Sequence, residues 1–273
     1  MKKWLMPVIM LAVVISLSAC GDVESTGDLD AEEVYQNAVA AAEEMESAEV
    51  IIETTSEIEG GGDTEAPAMT MEAKMESKTT MDPLTMHQTG TTTMTLGEMP
   101  IETDVELYMA EDEIYIYNGT SDQWMKPAEG EALMNMAGSM EQDPNKQLSM
   151  LEEYTDELEL SENEEAIVLN MSVNGDAFKE LTQEMMPQEL LSGLGEEGSE
   201  LLENMTIHEL NYEIQLDKES YHVTATDVYL DMSMGTESEE VRIKQEVKTE
   251  NKNINNVEPV EIPQEVKDAA VEA

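Results

Sequence analysis

Between residues 49 and 109, apolar side chains alternate with polar or charged ones, and this alternation limits what the chain can fold into. Met69, Met71 and Met75 occupy odd positions in one such run, while Glu72 and Lys74 occupy even positions between them. A period of two puts successive side chains on opposite faces of a β-strand, so the pattern predicts strands with one apolar and one charged face. Turn-forming dipeptides separate the runs, which predicts antiparallel strands joined by hairpins.

The predicted fold class is α+β. Asp30 precedes a stretch in which Val34 and Ala38 share one face, so we expect a helix to begin there. About eleven strands follow, interrupted by helical spacing at residues 133–154 and 176–191. The apolar face of a long antiparallel sheet must be covered, by a second sheet, by closure or by curling round helices. Leu and Met on the interrupting helices favour the last arrangement, within a single domain.

The charge balance excludes some partners. The chain has 62 acidic and 13 basic residues, for a formal net charge of -49. Phosphate binding needs clustered Lys and Arg, so nucleic acid is excluded as a partner, and direct adhesion to anionic lipid headgroups is disfavoured. The acidity is typical of an exposed protein that carboxylates keep soluble in high salt; an acidic site for a cationic ligand is the alternative.

The first twenty residues have the layout of a secretory signal peptide. Lys2 and Lys3 precede an apolar run at 5–17 that is too short for a comfortable membrane-spanning helix. The stretch Leu17-Ser18-Ala19-Cys20 resembles the lipobox of bacterial lipoproteins, which implies that the thiol of Cys20 is acylated and that cleavage occurs before it.

This resemblance also implies a division of the chain and a location. Residues 1–19 would be the signal peptide, 20–29 a lipidated tether and 30–273 the single folded domain. The protein would be held on the cell membrane by its acyl chains, facing outside the cytoplasm. Because Cys20 is the only cysteine, acylation would leave no thiol for a disulfide, for catalysis or for a metal site.

The domain as a whole resembles lipoproteins of the LolA/LppX type, and it is similar to a family of uncharacterised lipoproteins of Gram-positive bacteria. The likeness rests on Glu113-Ile114-Tyr115-Ile116-Tyr117-Asn118-Gly119, on Gln123-Trp124-Met125-Lys126 and on the closing Asn256-Val257-Glu258-Pro259-Val260-Glu261-Ile262-Pro263. It implies a half-open β-barrel whose concave face is roofed by helices. The apolar cavity between them holds acyl chains in such relatives.

No pattern in the sequence indicates catalysis. The three histidines, His87, His208 and His222, stand apart from any nucleophile, metal-binding or phosphate-binding motif. His208 shares the parity of the apolar residues in its strand, which is typical of a hydrogen-bonded core histidine. We therefore expect no enzyme activity, no catalytic residue, no cofactor and no metal.

The leading hypothesis is a non-catalytic lipoprotein that binds a lipid or another apolar molecule between the sheet and the helices. The chain has 23 methionines and one phenylalanine, and flexible thioethers suit varied apolar ligands. The predicted ligand contacts are Met69, Met71, Met75, Met86, Met94, Leu107, Met109, Leu133, Met136 and Met140.

Two alternatives remain. The first is a structural or sensor lipoprotein with a solid core that acts on an unknown protein partner in the cell envelope. The second is a copper(I) protein, because Met69, Met71 and Met75, like Met134 and Met136, have the spacing of thioether ligands. The core-like periodicity of these methionines favours a structural or cavity-lining role.

Overall fold

The computed structural model describes residues 30–60, 68–97, 99–110, 113–127, 158–172, 204–235 and 240–272. In this part of the chain two helices accompany twelve strands. In chain order the elements are α1 (Ala31–Glu43), β1 (Ser47–Gly60), β2 (Met69–Met81), β3 (Leu84–Leu96), β4 (Met99–Ala110), β5 (Glu113–Asn118), β6 (Gln123–Lys126), β7 (Leu158–Glu162), β8 (Ala166–Ser172), β9 (Thr206–Asp217), β10 (Val223–Met234), β11 (Val241–Lys252), α2 (Gln264–Ala269) and β12 (Val271–Glu272).

All twelve strands belong to one sheet, in the order β12-β6-β5-β4-β3-β2-β1-β11-β10-β9-β8-β7. The pairing is antiparallel except between β12 and β6. Strand β1 pairs with β2 on one side and with β11 on the other. It therefore joins the strands from the N-terminal half of the chain to those from the C-terminal half. The predicted series of antiparallel strands is confirmed. The predicted count of about eleven strands is approximate, since twelve strands lie among the described residues and neither β7 nor β12 was predicted.

The expected half-open arrangement of the sheet is confirmed, whereas the α+β class and the helical roof are only approximate. Strands β12 and β7 form the two edges of the sheet, which does not close on itself. The described residues are mostly β, with only two short helices. The helices predicted at 133–154 and 176–191 lie outside the described residues.

Strand register defines the two faces of the sheet. The apolar face is the side that carries Leu169 of β8 and Met75 of β2, and the charged face is the opposite side, with Glu53 and Lys74. One row of directly paired residues spans the apolar face from β8 to β4: Leu169, Ile214, Thr226, Thr249, Ile52, Met75, Gly90 and Val105.

Helix α1 covers the apolar face at the β7–β10 end. Its N-cap is Asp30, as predicted, because one carboxylate oxygen accepts hydrogen bonds from the backbone N–H groups of Glu32 (2.9 Å) and Glu33 (3.3 Å). The first core cluster combines buried residues of α1 with buried residues of these strands: Val34, Tyr35, Ala38, Ala42, Leu158, Ile167, Leu169, Met171, Met205, Ile207, Leu210, Ile214 and Leu216.

The C-terminal segment (residues 253–270) covers the charged face at the other end. Ile262 and Val266 pack on Tyr108, Ala110 and Tyr115 in a second core cluster. The sequence predicted an extended, edge-like tail, and this is only partly correct. The tail crosses the sheet, forms α2 and then adds β12 at the edge.

Hydroxyl groups of the sheet hold this C-terminal segment in place. The backbone N–H of Val257 donates to Ser47 Oγ (3.1 Å), and that of Val260 donates to Thr85 Oγ1 (2.9 Å). Asn255 adds a side-chain oxygen that accepts from the backbone N–H of Glu46 (2.7 Å). These hydrogen bonds give acceptors to backbone N–H groups that would otherwise lie unpaired against the sheet.

Candidate apolar binding face

All seven predicted ligand contacts on described strands lie on the apolar face. Three are on β2, two on β3 and two on β4, and cross-strand pairing sets Met71 opposite Met94 and Met86 opposite Met109. The seven are Met69, Met71, Met75, Met86, Met94, Leu107 and Met109. Leu133, Met136, Met140 and Cys20 lie outside the described residues. The role of all these residues in ligand binding stays a prediction.

Exposure on this face rises along β4 toward the turn between β3 and β4. Met109 is 7% exposed and Ile114 is 4% exposed, whereas Met94 is 41% exposed, and Ile101 and Met99 reach 61% and 68%. Leu96, Met99 and Ile101 were not among the predicted contacts. All three lie on the same side of the β3–β4 hairpin as Leu107, so the alternation that predicted Leu107 as a contact also includes them.

A band of small and hydroxyl-bearing side chains divides the apolar face. Thr54, Ala73, Thr92 and Thr103 stand directly opposite one another across four strands. In the next row Gly90 faces Met75, and a Cβ atom at Gly90 would clash with the Met75 thioether and the Lys74 carbonyl. The absence of a side chain at Gly90 therefore lets Met75 lie flat across β3.

The charged face carries exposed ion pairs. Lys74 Nζ lies 2.7 Å from Glu53 Oε1, and Lys78 Nζ lies 3.2 Å from Glu49 Oε1. The hydrogen bond from Lys74 lowers the pKa of Glu53. Since these groups are solvated, the pairs contribute little stability and mark this side as the one facing water.

A depression of ≈ 270 Å³ also opens on the charged face, between β8 and β11. Asn211, Glu213, Asp227 and Glu246 line part of it, and burial raises the pKa of the Asp227 carboxyl. None of the predicted contacts lines this depression, so it does not coincide with the predicted site.

The one described serine–histidine pair does not form a catalytic triad. His208 Nε2 lies 3.0 Å from Ser233 Oγ, but Ser233 is only 4% exposed. The neighbouring Asp231 accepts two hydrogen bonds from Arg242 (Nε 2.8 Å, Nη2 2.6 Å), which holds the pKa of that carboxyl below its usual range. Asp231 is therefore engaged elsewhere and does not orient the imidazole in the way a triad requires.

The position of His208 corrects its predicted place in the core. The register of β9 on β10 shifts by one residue between Asp231 and Met232. This irregularity puts Ile207 in the core, while His208 is exposed and bonds to Ser233. A shift of one residue exchanges the two faces of a strand, and periodicity alone did not reveal it.

Two further features bear on metals and membranes. In the described ranges, no three His, Cys, Asp or Glu side chains come together as a metal-binding group. Neither described helix has the length and apolar character needed to cross a membrane.

The chain belongs to a family of unknown function (DUF6612), whose model matches residues 30–271. Among curated proteins, none matches the chain. Similar solved structures include LprF from Mycobacterium bovis (12% identity, TM-score 0.38), covering 85% of this chain and 95% of that one. A DUF1329 family protein from Desulfovibrio piger (11% identity, TM-score 0.23) covers 79% of this chain and 91% of its own. At these TM-scores the similarity carries no argument about function.

Proposed function

We propose that this protein is a membrane-anchored extracytoplasmic lipoprotein that binds a lipid or another apolar molecule on the apolar face of β1–β6. The acylated Cys20 would hold it on the membrane, and no reaction would be catalysed. The ligand would lie across the methionine-rich strands β2, β3 and β4.

The observation that carries this proposal is where the described helices lie. Helix α1 covers the apolar face at the β7–β10 end, and the C-terminal segment covers the opposite face of β4–β6. Neither core cluster of the described residues includes any of the seven predicted contacts. Yet these side chains all lie on one face of three neighbouring strands, and the exposed ones among them, such as Met94, offer apolar surface to solvent. Exposed apolar surface of this kind marks a site for an apolar partner.

The chemistry of the face favours a flexible aliphatic ligand. Each methylene buried there contributes roughly 0.8 kcal/mol, so an acyl chain gains affinity from length and not from directed bonds. Methionine side chains adapt to different shapes, which predicts broad selectivity among aliphatic ligands.

Site-specific photo-crosslinking in the full chain tests the proposal. A benzoylphenylalanine is placed at Leu107 or Met75 on the apolar face, and at the adjacent Glu106 or Glu76 on the charged face as matched controls. After irradiation in a bacterial host, we expect lipid-sized mass additions at Leu107 and Met75 and none at the two controls. No adduct at either apolar position, or equal lipid adducts on both faces, would refute lipid binding here.

The alternative function is a structural or sensor lipoprotein that binds a protein partner. It is favoured by the position of the ≈ 270 Å³ depression, which lies on the charged face away from the predicted contacts. In the same experiment this alternative predicts protein-sized adducts from the charged-face positions and no lipid adducts.

A further inference from the structure

Four methionines occupy neighbouring positions of β2, β3 and β4 near the turn between β3 and β4. Met71 of β2 stands directly opposite Met94 of β3. Met69 and Met99 are the diagonal neighbours of Met94, since they pair with Leu96 on either side. Directly opposed Cβ atoms lie about 4.5–5.5 Å apart and diagonal ones about 7–8 Å apart, within reach of long side chains. We name Met69, Met71, Met94 and Met99 the methionine cluster.

Core packing does not explain these thioethers. Met94 is 41% exposed and Met99 is 68% exposed. None of the four belongs to either core cluster of the described residues. The thioethers of Met94 and Met99 are therefore accessible to a ligand from solvent.

The chemistry of the four thioether sulfur atoms indicates which metal ion they suit. Thioethers are soft, neutral donors that suit copper(I), whereas calcium and magnesium take oxygen ligands and zinc takes imidazole or thiolate. The described residues contain no cluster of three His, Cys, Asp or Glu that would compete for the ion. A net charge of -49 attracts a cation to the protein and repels anionic partners.

We propose that the methionine cluster binds one copper(I) ion through sulfur. Met71 and Met94 form the central pair, and Met69 and Met99 supply further thioethers. Met75, which its spacing suggested as a ligand, is excluded because it lies four residues along β2 from Met71, about 13 Å at the rise of a strand.

Copper(I) titration of the full chain tests this site. The protein is kept in a non-ionic detergent under anaerobic conditions with ascorbate and competes with a chromophoric copper(I) chelator. We expect one copper(I) per chain, and about tenfold weaker binding after Met71→Leu with Met94→Leu, which corresponds to about 1.4 kcal/mol. The matched control is Met86→Leu with Met109→Leu, another directly opposed methionine pair on the same face, on strands β3 and β4.

Three results would overturn the proposal. These are no uptake, equal weakening in the control pair, or X-ray absorption spectra that show nitrogen or oxygen ligands in place of sulfur. Copper uptake is measured on the chain without a crosslinker, and lipid adducts are measured separately from the Leu107 position of the otherwise unsubstituted protein. Copper binding and lipid binding can therefore fail independently of each other.

Discussion

Replacing Thr85 with valine removes one hydroxyl from the place where the C-terminal segment crosses the sheet. Thr85 is 4% exposed and accepts a hydrogen bond from the backbone N–H of Val260 at 2.9 Å. Its hydroxyl also lies 2.8 Å from that of Thr80, which in turn donates to the Pro83 carbonyl at 2.6 Å. Valine has nearly the same shape, so the perturbation is almost purely the loss of hydrogen bonding.

The expected cost follows from these partners. Thr80 keeps its acceptor at Pro83, so the main penalty is the Val260 N–H, which is left without an acceptor. A buried N–H group without an acceptor lowers the free energy of unfolding by about 1–3 kcal/mol. Since Val260 is only partly buried, we expect the lower half of the range, about 1–2 kcal/mol.

Urea unfolding of the full chain in non-ionic detergent measures this change. Tryptophan fluorescence reports it, because Trp124 packs against the second core cluster. The midpoint should fall by about 0.5–1 M with an unchanged slope. Thr91→Val is the matched control, since Thr91 is an exposed threonine of the same strand and face, and it should shift stability by less than about 0.5 kcal/mol. Equal midpoints for Thr85→Val and Thr91→Val would refute the role of the Thr85 hydroxyl.

Three other predictions concern the first core, the pH response and the anchor. Leu169→Ala, at a side chain that is 1% exposed in the first core cluster, should cost about 2–5 kcal/mol in the same urea assay, and an unchanged midpoint would contradict the core assignment. Arg242 lowers the pKa of Asp231 below its ordinary value of 3.8. The resulting stabilisation is complete above pH 3.8 and is lost as pH falls through the lowered pKa of Asp231 in the folded state. The difference in free energy of unfolding between the unsubstituted protein and Asp231→Asn should therefore narrow below pH 3.8. Cys20→Ser should move the protein from the membrane fraction to the medium, and retention on membranes would count against acyl anchoring.

Local sequence patterns were enough to predict most strands of the described region, although not β7 or β12. Alternation of period two placed Met71, Met94 and Leu107 on one face, and the register confirms it. Asp30 was recognisable as a helix cap because its side chain bonds to backbone only two and three residues away. Both signals arise from neighbours in the chain and are therefore visible in the sequence.

The tertiary structure decided the features that depend on distant residues. The pairing of β1 with β11 joins segments about two hundred residues apart, and no local pattern specifies that choice. The register shift at Asp231 reversed the expected face of His208. The opposition of Met71 and Met94, with Met99 as a diagonal neighbour, likewise depends on strand register. The sequence by itself determined which side chains can share a face, because that depends on the backbone of a single strand. Only the folded sheet determined which of them meet, because hydrogen bonding between strands sets the register.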